Sequence, residues 1–96
     1  MGRWPVGLDF VDLMMDCEDT FGVSLPDEAF DDARTVGAFC DVVLRHVRES
    51  GPVELRQRTD LEAHVWMRLC ELVLKPVGEL REITRETRFM EDLGYD

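Results

Sequence analysis

Four aspartates near the beginning of the chain are spaced so that an α-helix would place them together. They recur at i, i+3, i+7 and i+10, which puts four carboxylates on one stripe of a helix; they are Asp9, Asp12, Asp16 and Asp19. Such a stripe can attract a basic protein surface, although for an arbitrary helix a solvated acidic face is the commoner explanation. No EF-hand spacing fits the acidic residues at 16–19 or 27–32, so the sequence predicts no calcium loop.

The other residues capable of chemistry are isolated. His46 and His64 have no Ser or Cys partner at a recognisable catalytic spacing, and a lone helical histidine is usually a packing or surface residue. The three cysteines have no CxxC pair and no zinc-like spacing with histidine; they are Cys17, Cys40 and Cys70, interpreted as small buried hydrophobes in a reducing compartment. The sequence therefore predicts a protein that is not an enzyme and that holds no metal and no cofactor.

Composition narrows the class of protein. The chain has 96 residues and a formal net charge of −10, which indicates one small domain and argues against nucleic-acid binding, since phosphate binding needs clustered Lys and Arg. No apolar run approaches the roughly 20 residues of a membrane helix, and the N-terminus lacks the apolar segment of a signal peptide. We therefore expect a cytoplasmic protein that does not contact membranes.

The apolar periodicity predicts an all-α chain. A first helix is expected over residues 8–21, with Gly22 as its left-handed cap, followed by a short helix over 27–33. A third helix over 36–48 begins at the cap residue Thr35. A fourth, over 61–74, opens with a capping box formed by Thr59 and Glu62. Residues 49–58 are interpreted as a polar linker, and residues 78–96 as a long loop with a helical turn near 79–82.

The first helix has two apolar faces. Phe10, Met14, Cys17 and Phe21 recur at i, i+4, i+7 and i+11 and form the stripe expected to face the core. A second, smaller strip lies between this stripe and the aspartates. We predict a docking surface for a basic partner from this strip and the acidic stripe together: Leu8, Asp9, Val11, Asp12, Met15, Asp16 and Asp19.

These segments also resemble a known family. The runs LDFVDLMM over residues 8–15, EDTFGVSLPDE over 18–28 and TVG over 35–37 resemble the second helix, the third helix and the start of the fourth helix of acyl carrier proteins. The resemblance implies a four-helix bundle with three long helices and one short, and a role in acyl or polyketide-type metabolism. In that family the serine of an Asp-Ser-Leu motif carries a phosphopantetheine arm.

The attachment position is occupied by glycine in this chain. Gly7 matches the family's serine, with Leu8 after it, and has no hydroxyl to which an arm could be attached. Ser24 and Ser50, the only serines, lack the Asp-Ser-Leu context. The resemblance therefore implies a carrier-like protein with a vacant attachment position.

The end of the chain resembles the part of the family that normally comes first. The run ITRETRFMEDLGYD over residues 83–96 resembles the loop that follows the first family helix, and Asp96 matches the Asp of Asp-Ser-Leu. The whole chain is thus interpreted as one domain in circularly permuted order, the motif being divided between Asp96 and Gly7. Residues 8–48 match family helices two to four, 49–58 are a linker, and 59–96 match the first family helix and its loop.

Three functions remain open from the sequence. The first is a docking module without an arm, which recognises the basic surface of a partner such as an acyl-metabolism enzyme. The second is a non-covalent binder of an acyl chain, because family members shelter acyl chains between helices; the residues that could line such a space are Met14, Met15, Leu25, Phe39 and Val43. A filled core is the commoner meaning of such side chains.

The third function is structural and depends on the linker. Ten residues can span up to about 33 Å when extended, which is enough to close the bundle within one chain, since neighbouring helix axes lie about 8–10 Å apart. The same linker could extend and let the last helix pack on a second copy, giving a helix-swapped homodimer. The closed monomer is the preferred expectation.

Overall fold

Helices account for most of the chain in the computed structural model, which describes residues 8–30, 32–78 and 81–95. The elements in chain order are α1 (Leu8–Phe21), a 3₁₀ helix (Asp27–Phe30), α2 (Val36–Ser50), α3 (Val53–Arg56), α4 (Leu61–Leu74) and α5 (Phe89–Leu93). Within these ranges the β pairing is limited to one isolated antiparallel bridge between Thr35 and Arg88. The prediction of an all-α bundle is confirmed.

Helix α1 begins and ends where its sequence pattern predicts. Leu13, Cys17 and Phe21 are buried, and Gly22 ends the helix with φ of +67°, a left-handed conformation that glycine adopts without steric cost. The Glu18 carboxylate accepts a hydrogen bond of 2.8 Å from the Leu25 amide. This bond fixes the turn after α1, which also buries the Leu25 side chain.

Helix α2 buries seven of its 15 residues. The Thr35 side chain accepts a hydrogen bond of 3.1 Å from the Ala38 amide, as expected of an N-cap residue. The helix continues to Ser50, two residues beyond the predicted end, and Gly51 then turns the chain away. Its buried residues recur with helical spacing: Val36, Gly37, Phe39, Cys40, Val43, Leu44 and Val47.

The predicted capping box of α4 is wrong. The N-cap residue is Asp60, and it makes no side-chain hydrogen bond to the helix. Its two carboxylate oxygens instead accept bonds of 2.9 and 3.1 Å from Arg58, and Glu62 pairs with Arg48 at 2.8 Å. The arginines thus engage the carboxylates that would otherwise cap the helix.

The body of α4 packs on α1 and α2. Its buried side chains recur every four residues, as the sequence pattern predicts: Leu61, Val65, Leu69 and Val73. Leu72 is half-buried at the edge of this stripe. The segment 49–58, interpreted as a linker, contains the last two residues of α2 and the one-turn helix α3.

The tail contains a helix that the sequence interpretation missed. Residues 78–96 were expected to be a long loop, but Phe89–Leu93 form α5, with Gly94 as its left-handed cap at φ of +75°. Phe89 and Leu93, spaced i and i+4, are both buried and anchor this turn. Residues 81–82 are not helical, and residues 79–80 lie outside the described residues.

Candidate docking surface on helix α1

Helix α1 leaves two large apolar side chains in solvent. Val11 is 39% exposed and Met15 is 57% exposed, whereas Leu13 and Cys17 on the opposite side are 2% and 0% exposed. Val11 and Met15 are four residues apart and therefore lie one above the other on the same face. The fold of α1 accordingly does not need these two side chains for its core.

Carboxylates border the two apolar side chains. Asp12 and Asp19 are exposed. The side chain of Asp16 is 37% exposed and has Lys75 Nζ at 3.5 Å from its Oδ2. The structure therefore brings together five of the seven predicted docking residues, Val11, Asp12, Met15, Asp16 and Asp19; the side chains of Leu8 and Asp9 lie outside the described residues.

Lys75 is a residue of this surface that sequence reasoning missed. It follows the last residue of α4 and is 68% exposed, so its contact with Asp16 is a weak surface pair. No short-range pattern connects residues 59 positions apart. A basic partner would compete with Lys75 for the Asp16 carboxylate.

The tail of the chain returns to the first turns of α1. The Tyr95 and Phe10 ring centroids are 6.3 Å apart, and those of Phe89 and Phe10 are 5.3 Å apart. The Tyr95 hydroxyl donates a buried hydrogen bond of 2.6 Å to the Val73 carbonyl of α4. The predicted vacant attachment position, Gly7, and its predicted neighbour Asp96 both lie outside the described residues.

The loop before α5 also closes the N-terminus of α2. The Val36 amide donates to the Thr87 carbonyl at 2.8 Å, and the Gly37 amide donates to the Arg85 carbonyl at 3.0 Å. A Cβ at position 37 would lie 2.7 Å from both the Cβ and the carbonyl oxygen of Arg85. Only glycine permits this approach, because any side chain would meet backbone atoms of the loop.

The residues expected to line an acyl pocket do not all come together. Leu25, Phe39 and Val43 are buried and Met14 is half-buried, but Met15 lies on the surface. Phe39 stacks on Phe30 with ring centroids 4.3 Å apart. Met15 therefore belongs to the outer face of α1, and aromatic neighbours surround Phe39.

The cysteines are placed for packing. Burial, with a smaller contribution from Asp16, raises the pKa of the Cys17 thiol to about 12. Burial likewise raises the pKa of Cys40 to about 11. Both thiols are protonated at neutral pH, and a protonated thiol is a poor nucleophile.

The remaining groups capable of chemistry are the histidines and the acidic side chains. His46 Nδ1 lies 2.9 Å from the Val42 carbonyl oxygen, to which it donates. Across the described ranges, no cluster of three or more His, Cys, Asp and Glu side chains is arranged to hold a metal ion. None of the helices in this part of the chain has the length and apolar content required to span a bilayer.

Comparisons with known proteins identify the same part of the chain. Residues 8–43 match the family model described as the phosphopantetheine attachment site. An acyl carrier protein of Lactobacillus johnsonii (strain CNCM I-12250 / La1 / NCC 533) is 44% identical over 39 residues, which cover 41% of this chain and 49% of that protein. The chain thus matches about half the length of this relative, which is named as a carrier and not as a catalyst. No solved structure gives a significant match.

Proposed function

Because residues 8–43 carry the sequence pattern of acyl carrier proteins, we propose that this chain is a non-catalytic docking module of that type. It presents the recognition helix of a carrier without a phosphopantetheine arm. Its partners are enzymes of acyl or polyketide-type metabolism with a basic carrier-binding surface. The pathway follows from the resemblance, and the docking role follows from the surface of α1.

The exposed face of α1 is the observation that carries the proposal. Val11 and Met15 remain in solvent although α1 already has a complete buried face. The carboxylates of Asp12, Asp16 and Asp19 border them. A partner gains apolar contact area from the first pair and electrostatic steering from the carboxylates.

The absence of an arm rests on the residue at the attachment position. The family match begins at Leu8, directly after Gly7, which has no hydroxyl. Ser24 and Ser50 are both exposed, but neither is preceded by Asp and followed by Leu at the start of a helix. The module therefore recognises partners but does not itself carry an acyl thioester.

The proposal includes a permuted order of the family's elements. Tyr95 packs near Phe10 at the beginning of α1, and its hydroxyl bonds to the end of α4. These contacts support the assignment of residues 59–96 to the first family helix and its loop, with residues 8–48 as the later helices. Permutation is well tolerated where the original termini lie close together at the surface.

Charge reversal on α1 tests the docking function. The double variant Asp12→Lys, Asp16→Lys is compared by surface plasmon resonance with the unmodified chain, against purified acyl-metabolism enzymes that have basic carrier-binding surfaces. We expect wild-type binding to weaken as salt rises, and the variant to lose binding by at least about tenfold, roughly 1.4 kcal/mol.

A matched control separates the surface from net charge. The double variant Glu49→Lys, Glu54→Lys makes the same charge change at exposed positions away from α1. This control should retain affinity within about twofold, since rim and remote charges contribute little. Equal weakening in both variants, or unchanged binding in the α1 variant, would contradict the docking surface.

A further inference from the structure

A second charged feature lies where α2 ends and α4 begins. It is a hollow of about 490 Å³ to which three arginines contribute, here called the arginine pocket. Its lining residues are Arg48, Arg56, Arg58, Thr59, Asp60, Leu61, Glu62 and Ala63. In a chain of net charge −10, this concentration of arginine requires an explanation.

The three arginines come from separate elements and are held in place. Arg48 of α2 donates through Nη2 to Glu62 at 2.8 Å. Arg56 of α3 donates through Nε to the Gly51 carbonyl at 2.9 Å. Arg58 donates through Nε and Nη2 to both oxygens of Asp60. Each guanidinium still has further N–H groups, so these contacts orient the arginines without consuming their donors.

Charge in the pocket is not fully compensated. Three guanidinium groups face two carboxylates, those of Asp60 and Glu62. Among the ion pairs of the described residues, the Arg56 guanidinium has no carboxylate partner. Its Nε donates to the backbone carbonyl of Gly51 instead. One positive charge is therefore in excess, and Arg56 is the side chain that supplies it.

The backbone contributes donors to the same hollow. Asp60 makes no side-chain hydrogen bond to α4, so the first amides of the helix lack a side-chain cap, and the His64 amide donates to the Asp60 carbonyl at 2.8 Å. The uncapped amides belong to residues that line the pocket. They add the partial positive charge of a helix N-terminus to that of the arginines.

We propose that the arginine pocket binds a small phosphate-bearing anion, such as a phosphate monoester. The planar guanidinium presents paired donors that match phosphate oxygens. The uncapped amides supply additional donors directed along the helix axis. Asp60 and Glu62 position Arg58 and Arg48 and limit the excess charge, which favours a compact anion over an extended polyanion.

This site is separate from the proposed docking surface. The docking surface is formed by α1 and Lys75, and none of its residues lines the arginine pocket. The inference does not rest on the docking function, and either proposal can fail without the other. A ligand in the pocket would add a small-molecule input to a module that otherwise contacts proteins.

Titration with inorganic pyrophosphate, followed in ¹H–¹⁵N correlation spectra at constant ionic strength, tests the proposal. We expect saturable shifts concentrated at the amides of residues 61–63 and at the side-chain N–H of Arg56. Inorganic phosphate should shift the same signals with lower affinity because it offers fewer oxygens. Absence of a saturable shift, or shifts spread evenly along the chain, would overturn the assignment.

Three arginine variants provide the comparison. Arg56→Gln should weaken pyrophosphate binding by at least about tenfold, which corresponds to roughly 1.4 kcal/mol. Arg68→Gln, which removes an exposed arginine of α4 paired with Glu71 at 2.8 Å outside the pocket, should leave it within about twofold. Equal weakening by both would mean a non-specific charge effect and would refute the site. Circular dichroism verifies folding, and Arg58→Gln serves as the second pocket variant.

An acidic peptide is the competing occupant. Hexaglutamate, titrated under the same conditions, presents carboxylates instead of phosphate. We expect it to shift the amides of residues 61–63 only weakly. Strong shifts with hexaglutamate and none with pyrophosphate would overturn the small-anion proposal in favour of a protein segment.

Discussion

The hydroxyl of Tyr95 donates a hydrogen bond of 2.6 Å to the carbonyl oxygen of Val73, in the buried interior. Val73 lies in the last turn of α4, where the final four carbonyls have no acceptor role within the helix. The Tyr95 side chain therefore supplies a donor to the end of α4 and also holds the tail against α1, since its ring lies 6.3 Å from that of Phe10. The last described residue of the chain is thus part of the core.

We expect this contact to be measurable as stability. Tyr95→Phe removes the hydroxyl and leaves a buried carbonyl without this donor, which costs about 1–3 kcal/mol. Tyr95→Ala also removes the ring and should cost about 3–5 kcal/mol. Urea unfolding gives both values. Met90→Ala, at a side chain that is 52% exposed in the same segment, is the control and should change stability by no more than about 0.5 kcal/mol.

A second prediction concerns the contact between Gly37 and the loop before α5. Gly37→Ala should destabilise the protein by about 1–3 kcal/mol because the new methyl group meets backbone atoms of Arg85. Alanine in an ordinary helix position would instead stabilise by about 1 kcal/mol relative to glycine. Urea unfolding decides between the two signs.

The control for Gly37 is another position of α2. Arg45→Ala changes an exposed residue of the same helix and should alter stability by no more than about 0.5 kcal/mol. A stabilising Gly37→Ala would show that a Cβ at position 37 does not come within 2.7 Å of the Arg85 backbone. The hydrogen bond from the Gly37 amide to Arg85 would then also be in doubt.

Helices with a clear apolar period could be predicted from the sequence, whereas side-chain partners distant along the chain could not. The pattern of Phe10, Met14, Cys17 and Phe21 predicted α1, and Thr35 predicted the start of α2, because both signals depend on neighbours within a turn or two. The capping box at Thr59 failed because Arg48 and Arg58 compete for the carboxylates. The pair of Arg48 and Glu62 joins residues 14 positions apart and has no local signature, whereas Arg58 is only two residues from Asp60.

The docking surface on α1 was also predictable only where its residues are close together along the chain. The positions of Val11, Asp12 and Met15 on one face follow from helical spacing alone. The approach of Lys75 to Asp16 depends on how α4 packs on α1. Helix α5 was missed because five residues are too few for periodicity to be evident, although Phe89 and Leu93 at i and i+4 were a usable signal.

The buried thiols predict how stability depends on pH. The pKa of Cys17 is raised from 9.0 to about 12 and that of Cys40 from 9.0 to about 11, in both cases mainly by burial. Above pH 9 the unfolded chain loses thiol protons that the folded chain retains. The stabilisation linked to these two thiols is therefore fully present below pH 9. It is lost as pH rises, and the free energy of unfolding falls by up to about 1.4 kcal/mol per thiol per pH unit.

A variant without these thiols isolates their contribution. Urea unfolding from pH 8 to 10.5 in the presence of reductant should give a steeper fall for the wild type than for Cys17→Ala, Cys40→Ala. The variant is expected to be less stable at pH 8 because it loses buried sulfur atoms, so the comparison uses the slope and not the absolute value. Parallel slopes would contradict the raised pKa values.

The proposed lack of an attachment serine predicts that the chain is not modified by a phosphopantetheinyl transferase. Incubation with a phosphopantetheinyl transferase and its coenzyme A substrate should leave the intact mass of the wild-type chain unchanged, because Gly7 offers no hydroxyl. A rearranged chain in which residues 59–96 precede residues 7–48, with Gly7→Ser, restores the Asp-Ser-Leu order and should gain one phosphopantetheinyl group.

One control and two contradicting outcomes complete this test. The rearranged chain with Gly7 retained is the control and should stay unmodified. A mass gain by the wild type would show that another residue accepts the arm and would refute the armless module. If the rearranged serine variant folds but is never modified, the permuted order is the part that fails.

The final prediction distinguishes a closed chain from a helix-swapped dimer. In the structure α4 packs on α1 and α2 of its own chain, and the connecting segment is folded, with Arg56 Nε donating to the Gly51 carbonyl at 2.9 Å. Gly51 is also packed closely, since a Cβ there would lie 2.7 Å from the Val47 carbonyl oxygen. We therefore expect a monomer by light scattering at every concentration from micromolar to millimolar.

Inserting several glycine and serine residues after Gly51 should leave the protein monomeric, because the loop-closure cost grows slowly with length. A dimer that becomes a monomer on this insertion would show that the short connection drives the swap, and would replace the closed chain with an intertwined pair.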